Sequence, residues 1–131
     1  LNDPVLGELE APLVWGPYAA APEPTAAGAE SLGLMATESG ELLAFRPAEA
    51  GRIAWKASLD PGHAPVGEPL TVDSDVLIAT ALGRLDRRSL ATGEITASVD
   101  LGQTLASGPR QLGGRIVVAA TDGSLLVVPT P

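Results

Sequence analysis

Few side chains in this sequence are suited to catalysis or to metal binding. His63 is the only histidine among 131 residues and lies in the loop 60–65. A histidine acts as a general base when a second group orients it and a nucleophile lies within reach, and the surrounding sequence provides neither. We therefore interpret His63 as an exposed loop residue.

A short acidic segment offers oxygen ligands. Asp73, Ser74 and Asp75 have the spacing of a calcium-binding loop. Asp and Ser are also ordinary turn residues, because their short polar side chains hydrogen-bond to nearby backbone groups. Since this segment separates two apolar runs, we predict a turn between two strands and no metal site.

Positive charge is concentrated at Arg84, Arg87 and Arg88. On a strand, residues 84 and 88 share one face while residue 87 points to the other, so the three do not form a phosphate clamp. We interpret the segment as a solvated strand.

The composition excludes several classes of function. Sixteen acidic and eight basic residues give a net charge of −8, which disfavours a nucleic-acid partner because affinity for phosphates comes largely from Lys and Arg. The absence of cysteine excludes disulfides, thiolate metal sites and cysteine nucleophiles. Zinc-protease, phosphate-binding and dinucleotide-binding motifs are also missing. We predict a protein that is not an enzyme and has no cofactor.

The acidic residues do not form an evident acid and base pair. They are scattered near predicted turns, and we interpret them as solubilising surface. The glutamates concerned are Glu8, Glu10, Glu23, Glu30, Glu38, Glu41 and Glu49.

No apolar run reaches the length of a membrane-spanning helix. The chain opens on Leu1, and we interpret it as an excised or processed segment. Any membrane attachment is then expected only through segments that this sequence does not include.

The elements that must position these side chains repeat along the chain. Gly40, Gly83 and Gly123 are 43 and 40 residues apart, and each lies between two short apolar runs. Glycine suits a tight turn between strands because it adopts positive φ without a Cβ clash. Each turn follows an Ala-Thr pair, at 36–37, 79–80 and 120–121.

Two further glycine landmarks complete the repeat. Gly16, Gly67 and Gly108 precede the turns, and Gly51 and Gly93 follow the first two. Each full unit therefore contains four short strands in about 40 to 45 residues, which is typical of a β-propeller blade. Gly and Pro interrupt the chain too often for amphipathic helices.

We predict an all-β protein, a β-propeller segment of about three four-stranded blades that forms an incomplete ring. The segment is one domain, 1–131, with blades at 11–60, 64–101 and 105–131 and an orphan outer strand at 1–10. Two interpretations of the count stay open. The chain is a piece of a longer ring, or it self-associates so that two copies complete one.

Residues 44–55 resemble the pyrroloquinoline-quinone-like (PQQ-like) repeat, whose pattern is Ala-x-Asp-x-x-Thr-Gly-x-x-x-Trp. Gly51 and Trp55 match the glycine and the tryptophan four residues apart, and Arg46 stands where Asp is usual. In the second unit Gly93 matches the glycine, but Ala97 occupies the tryptophan position.

The resemblance implies a structural role for these positions. In the family the tryptophan docks between neighbouring blades, which makes Trp55 a structural wedge and implies a thinner contact at Ala97. The structural repeat positions are Gly40, Gly51, Trp55, Gly83, Gly93 and Gly123.

The resemblance also implies a range of functions. The family includes quinoprotein dehydrogenases, the propeller lipoprotein that assists outer-membrane protein assembly, and extracytoplasmic sensor or scaffold modules. The lipoprotein and scaffold members imply a non-catalytic protein-interaction module, part of a larger periplasmic or secreted protein, with a protein partner. Two alternatives stay open: a fragment of a quinoprotein dehydrogenase that binds pyrroloquinoline quinone and calcium, and the sensor domain of a signalling protein.

Propeller topology collects certain loops on one face of the ring. These are the loops between blades and the turns between second and third strands, so we predict a partner face containing Glu38, His63, Arg84 and Gln103. The opposite face would carry the long loop at 21–31, a second candidate.

Two glycine-containing segments complete the predictions. Trp15 and Tyr18 flank Gly16-Pro17 and are expected in the core rather than as anchors for a partner. Gly113 and Gly114 lie between two strands, where a two-residue hairpin turn is expected.

Overall fold

A computed structural model describes residues 13–20, 32–46 and 52–131. The described residues form eleven strands and no helix. Three predicted features lie outside them: the orphan strand at 1–10, the loop at 21–31, and Gly51.

The strands form three antiparallel sheets in chain order. Sheet 1 contains β1 (Leu13–Ala20), β2 (Leu32–Thr37), β3 (Glu41–Arg46) and β4 (Arg52–Ser58). Sheet 2 contains β5 (Pro65–Val72), β6 (Asp75–Thr80), β7 (Arg84–Ser89) and β8 (Ile95–Asp100). Sheet 3 contains β9 (Arg110–Leu112), β10 (Arg115–Ala119) and β11 (Leu125–Pro129). This is the all-β arrangement of three open sheets that the repeat predicts.

The turn glycines close the hairpin between the second and third strands of each sheet. Gly40, Gly83 and Gly123 have φ of +89°, +102° and +92°. In each turn the glycine N–H donates to the carbonyl oxygen three residues earlier, at 3.0, 3.0 and 3.1 Å. A side chain with a Cβ is strained at these angles, which explains the glycine spacing of the repeat.

Two further turns confirm predictions. Gly113 and Gly114 have φ of +55° and +81° and join β9 to β10 as a two-residue turn, as expected for a hairpin with two positive-φ residues. Asp73 and Ser74 form the turn between β5 and β6, with Asp73 at φ +55°.

Sheets 1 and 2 pack face to face. Alternate residues of β2 and β3 point toward sheet 2 because side chains on a strand alternate between faces. Burial of each large aliphatic side chain here contributes about 1.5–3 kcal/mol to stability. The buried residues of this interface are Trp15, Leu32, Leu34, Ala36, Leu42, Ala44, Trp55, Val76, Ile78 and Leu90.

Sheet 2 is covered on both faces. Val76 and Ile78 of β6 face sheet 1, whereas Leu77 and Ala79 point the other way, into sheet 3. The second interface is completed by four more buried residues: Leu85, Leu105, Ile116 and Val118.

The inner strands approach closely where glycines meet. Gly67 of β5 lies directly against Gly108, and a Cβ added to either would collide with the backbone of the neighbouring segment. Trp15 Nε1 donates to the Gly67 carbonyl oxygen at 2.7 Å across sheets 1 and 2. Trp15 is 6% exposed and contacts the half-buried Tyr18 ring at a centroid distance of 4.9 Å, which confirms the core prediction for Trp15.

Candidate interaction face

Turns and connections from all three sheets meet at one end of the stack. We call this surface the turn face. It comprises residues 37–41, 59–64, 80–84, 101–106 and 120–124.

Backbone hydrogen bonds join the turn face into one framework. Leu59 N donates to Gly40 O at 2.8 Å within sheet 1. Ala81 N donates to Ala64 O at 2.9 Å, and Leu105 N donates to Ala81 O at 3.2 Å. The bond from Leu105 N joins the hairpin turn of sheet 2 to the connection that leads into sheet 3. These bonds hold the turns and connections of the turn face in fixed relative positions.

A groove of about 530 Å³ opens on the turn face between the first hairpin turn and the β4–β5 connection. It is lined by Val14, Thr37 to Gly40, Leu59 to Gly62, and Ala64. Val14 is 54% exposed although it is a large aliphatic residue. Ligand pockets in proteins typically have volumes of about 300–1,000 Å³, and this groove lies within that range.

His63, in the same β4–β5 connection, is half-buried, which corrects the prediction of an exposed loop residue. Its Nδ1 lies 2.8 Å from the hydroxyl oxygen of Thr80, which is 1% exposed. The Thr80 hydroxyl also accepts a bond from Arg84 N at 3.1 Å. The structure thus ties the β4–β5 connection to the hairpin turn of sheet 2.

Arg84 is held by two carboxylates. Its Nε and Nη2 donate to the two oxygens of Asp86 at 2.7 and 3.1 Å, and its Nη1 donates to Asp60 at 2.8 Å. Asp86 is 2% exposed and also accepts a bond from Ser98 Oγ at 2.8 Å. The hydrogen bond with Asp86 raises the pKa of Arg84, and the hydrogen bond with Arg84 lowers the pKa of Asp60. Arg84 is therefore a structural link of the turn face.

The interpretation of residues 84–88 as a solvated strand is wrong. Asp86 and Arg88 pair with Ile78 and Val76 in the register of sheet 2, so they share the face that sheet 1 covers. Arg88 is 4% exposed, and burial lowers the pKa of its guanidinium. Its Nη1 donates to the Gly93 carbonyl oxygen at 2.7 Å, which satisfies a charge that would otherwise be costly to bury.

Gln103 and Glu38 complete the predicted face. Gln103 is half-buried, and its backbone carbonyl lies against Gly83, where an added Cβ would collide with it. Glu38 is exposed and lines the groove. The structure therefore brings all four predicted residues to the turn face, although only Glu38 is fully exposed there.

Some residues of the groove carried no signal in the sequence. Val14, Leu59 and Pro61 look like ordinary strand and loop residues, and only the fold brings them beside the first hairpin turn. The partners of Arg84 were missed as well, since Asp60 lies 24 residues away along the chain.

Trp55 links sheet 1 to sheet 2. It is 8% exposed, and its Nε1 donates to the Leu90 carbonyl oxygen at 2.8 Å. The ring lies over Gly93, which has φ +81°, so that a Cβ added at this position would collide with the indole.

The corresponding link between sheets 2 and 3 comes from a different strand. Trp55 pairs with Ala44 in sheet 1, and Ala97 pairs with Arg87 in sheet 2. Arg87 Nη1 donates to the backbone oxygen of Pro131 at 2.7 Å. In sheet 1 the large side chain of the pair is on the fourth strand, β4, and the small one is on the third strand, β3. In sheet 2 the order is reversed, because the large side chain is on β7 and the small one is on β8.

One alternative implies a quinone and calcium site, for which carboxylates would have to serve as ligands. Four carboxylates that could ligate calcium are each paired with an arginine: Asp60 and Asp86 with Arg84, and Asp73 and Asp75 with Arg87. Among the described residues no three His, Cys, Asp or Glu side chains cluster as metal ligands. The same part of the chain contains no helix suited to crossing a membrane.

No protein-family model matches this sequence, and no curated protein matches it. Solved structures do match. BamB from Moraxella catarrhalis aligns with a TM-score of 0.61 at 17% identity, covering 76% of this chain and 29% of that chain.

Two computationally designed proteins are also similar. Ika4 aligns with a TM-score of 0.58 and Ika8 with 0.57, each at 14% identity over 76% of this chain. The alignment covers 61% of Ika4 and 30% of Ika8, so the chain spans less than two thirds of each of the three structures. At these identities the likeness concerns the fold alone. Together with the three open antiparallel sheets, it assigns to this chain the fold of a β-propeller segment.

Proposed function

We propose that this chain is a non-catalytic β-propeller module that binds a protein partner through its turn face. The observation that carries the proposal is the groove of about 530 Å³, which exposes apolar side chains at a surface held by backbone and ionic bonds.

The rigidity of the groove supports a binding role. One wall is fixed by the bond from Leu59 N to Gly40 O, and the other by the contacts of His63 with Thr80 and of Asp60 with Arg84. A preformed surface loses little conformational entropy when a ligand binds, so more of the contact energy appears as affinity.

The exposed apolar surface extends beyond the groove. Leu82 is 52% exposed and its side chain lies over Gly62, at the edge of the groove floor. Val14 lies in the groove lining, and both residues are accessible to an incoming side chain. Since exposed large aliphatics near a concave surface are typical of interaction sites, we expect the partner to insert an apolar side chain here.

The charge of the surface defines the partner further. Glu38 is exposed at the groove, and the chain as a whole carries a net charge of −8. A partner segment with Lys or Arg beside its apolar anchor is therefore favoured, because complementary charge raises the association rate and disfavours acidic competitors.

The family and the location belong to the same proposal. The contact of Trp55 with Gly93 supports membership of the PQQ-like repeats, in which this tryptophan docks between blades. The similarity to a longer BamB chain, of which this chain covers 29%, supports a module of a larger extracytoplasmic protein. In the sensor alternative, the same module would be part of a signalling protein.

A displayed peptide library panned against the folded chain tests the proposal. We expect enriched peptides to share an apolar residue next to Lys or Arg, and we expect their amide shift perturbations to map to residues 37–41 and 59–64. Glu38→Lys should weaken binding about tenfold, a change of about 1.4 kcal/mol. Leu112→Lys, on sheet 3, serves as the matched control and should leave binding unchanged. Shifts that map elsewhere, or no enrichment at all, would refute the proposal.

A further inference from the structure

The hairpin turns of sheets 1 and 2 have the same hydrogen bonds, so the surroundings of their glycines can be compared directly. Gly40 and Gly83 each donate to the carbonyl oxygen three residues earlier at 3.0 Å. Each also accepts a bond from the leucine that follows the fourth strand of its sheet, from Leu59 N at 2.8 Å and from Leu101 N at 2.6 Å. Leu59 and Leu101 are therefore equivalent positions, and each begins the connection to the next sheet.

The two connections differ in length. Their last residues are Pro65 and Leu105, which are equivalent because each pairs with the residue whose carbonyl accepts the turn-glycine bond of the next sheet. The first connection has five residues between the equivalent positions, 60–64, and the second has three, 102–104. The first connection is thus two residues longer.

The shorter connection crosses directly over the turn of sheet 2. Backbone atoms of Gln103 lie so close to Gly83 that a Cβ added there would collide with them. Leu105 N then donates to Ala81 O at 3.2 Å. The main chain of the connection therefore covers this turn.

The longer connection is held away from the turn of sheet 1. Three contacts fix it against the turn of sheet 2 instead: Asp60 with Arg84, His63 with Thr80, and Gly62 with Leu82. Among the described residues, the only atom within 4 Å of a Cβ built on Gly40 is the Leu59 carbonyl oxygen, at 4.0 Å. The groove of about 530 Å³ thus includes the place that the main chain fills in sheet 2.

The turn of sheet 1 also retains a backbone acceptor that the turn of sheet 2 has already used. Ala81 O is bonded to Leu105 N, whereas the equivalent of Leu105 is Pro65, which has no N–H. No described residue donates to Glu38 O, the counterpart of Ala81 O. Glu38 lines the groove, so this oxygen can accept a bond from the N–H of a ligand.

The charge at the groove restricts its occupant further. The carboxylate of Glu38 is exposed and forms no ion pair with a described residue. Asp60, also in the groove lining, is 61% exposed although it is paired with Arg84. Lys or Arg beside the segment that enters the groove is therefore complementary in charge.

We propose that the groove binds an extended peptide segment through its main chain, in the position that Gln103 occupies over the turn of sheet 2, with Lys or Arg on either side. This inference rests on the proposed function and specifies how the partner is recognised. The ligand main chain lies against Gly40, and one ligand N–H donates to Glu38 O. Main-chain hydrogen bonds supply affinity in many sites that bind extended peptides, and here they leave the side chain over Gly40 free to vary.

A peptide that copies the second connection tests this mode of binding. The probe is acetyl-Lys-Leu-Gly-Gln-Thr-Leu-Lys-amide, which places the residues of 101–105 between two lysines. Titration should give saturable amide shifts of the folded chain at 37–41 and 59–64. Replacing the probe glutamine with alanine should leave the affinity unchanged, because the Gln103 atoms nearest to a Cβ on Gly83 are all backbone atoms. No saturable shift at these residues would overturn the proposal, as would loss of binding by the alanine probe.

Gly40→Ala and Gly123→Ala form a matched pair of variants. The two glycines have φ of +89° and +92°, and no described atom lies closer than 4.0 Å to a Cβ built on either. Alanine should therefore lower the urea midpoint equally at both positions. Only Gly40→Ala places a methyl group where the ligand main chain lies, so it should weaken probe binding about tenfold, whereas Gly123→Ala should bind as the parent chain does.

Equal affinities of the two variants would refute main-chain recognition over Gly40. If peptides selected from a library still mapped to the groove of Gly40→Ala, the proposed function would stand and only this mode of binding would fail.

Backbone methylation of the probe tests the bond to Glu38 O. Methylation of the peptide nitrogen at the glutamine, the threonine and the second leucine, one at a time, removes each donor in turn. One of the three peptides should bind about tenfold more weakly than the parent probe. Three peptides of unchanged affinity would contradict a ligand N–H at this oxygen.

Discussion

At the scale of single residues, contacts between sheets depend on a few side chains that meet backbone. Trp55 is one of them, since its ring covers Gly93 while its N–H bonds to Leu90 O. Such a contact combines apolar burial with one satisfied donor, a combination that makes tryptophan effective at interfaces. The glycine beneath the ring is as important as the tryptophan above it.

Gly93 and Gly114 permit a controlled test of this contact, because both have φ +81°. Alanine at either position incurs the same backbone strain, but only at Gly93 does the new Cβ collide with Trp55. We expect Gly93→Ala to lower the free energy of unfolding by about 1–3 kcal/mol more than Gly114→Ala, measured by urea denaturation. In a Trp55→Ala background the difference between the two variants should shrink. Equal losses in the parent chain would show that the indole does not limit this position.

The pair of Asp60 and Arg84 makes stability depend on pH. The hydrogen bond from Arg84 holds the pKa of Asp60 below its ordinary value of 3.8 in the folded state. The stability contributed by the pair is thus fully present above that value and is lost as the pH falls through the lower, folded-state pKa.

Asp60→Asn keeps the shape of the side chain and removes its charge. We expect it to lower the melting temperature near pH 7 and to have progressively less effect below about pH 4. Thermal denaturation of both proteins between pH 2 and pH 7 measures this, and added salt should reduce the difference because Asp60 is exposed. An effect that grows as the pH falls would contradict the assignment.

At the scale of elements, sheets 1 and 2 each pair one large side chain with one alanine across their third and fourth strands, but the large side chain is on different strands. Trp55 on β4 faces Ala44 on β3, whereas Arg87 on β7 faces Ala97 on β8. Trp55 donates to the backbone oxygen of Leu90, in the loop between β7 and β8, and Arg87 donates to that of Pro131, after the end of β11. Each pair thus combines one large side chain with one alanine, although only the pair in sheet 2 carries a charge.

Exchanging the pairs tests that equivalence. Arg87→Ala removes the bond to Pro131 and the ion pair with Asp75, and we expect it to destabilise the chain by about 1–3 kcal/mol. Adding Ala97→Trp to Arg87→Ala should restore part of the loss, because the indole fills the vacated space as Trp55 does in sheet 1. Chemical denaturation of the three proteins measures both steps. If Ala97→Trp is equally harmful with and without Arg87, the two sites are independent and the idea fails.

The sequence predicts the elements well where a local rule governs them. The spacing of Gly40, Gly83 and Gly123 locates the hairpin turns because positive φ is a property of the residue itself. The sequence does not predict burial where a segment far along the chain covers the residue. Arg88 was expected in solvent, since nothing near it in the chain reveals that sheet 1 covers its face of the strand.

The Ala-Thr pairs do not occupy equivalent positions in all three turns. An alignment on the pairs matches Ala120 with Ala79, but the turn bond from Gly123 N to Ala120 O gives Ala120 the position of Thr80. A shift of one residue reverses which side chains face outward. The hydrogen bonds of the turn therefore decide which residues of β10 face sheet 2, and these are Ile116 and Val118.

At the scale of the whole molecule, the open stack has consequences for ligands. A quinone and calcium site on a propeller axis needs several blades to converge on it, and here the carboxylates of Asp73 and Asp75 are held by Arg87. We expect calorimetric titration with pyrroloquinoline quinone and Ca²⁺ to give no saturable heat. Titration of Ca²⁺ alone is the control for weak binding to the acidic surface. Stoichiometric binding of the quinone would favour the dehydrogenase alternative over an interaction module.

The stacking of sheets also sets the order in which parts of the molecule open. Sheet 2 is covered on both faces, and all residues from Val76 to Thr80 are buried. Sheet 3 is covered on one face, and β9 is exposed throughout. Because each sheet contacts only its neighbours, local stability follows the number of covered faces.

Amide hydrogen exchange of the folded chain measures this order. We expect the amides of β6 and β7 to exchange most slowly and those of β9 and β11 most rapidly. If the amides of sheet 3 are protected as strongly as those of sheet 2, the three sheets open as one unit, and the number of covered faces does not determine local stability.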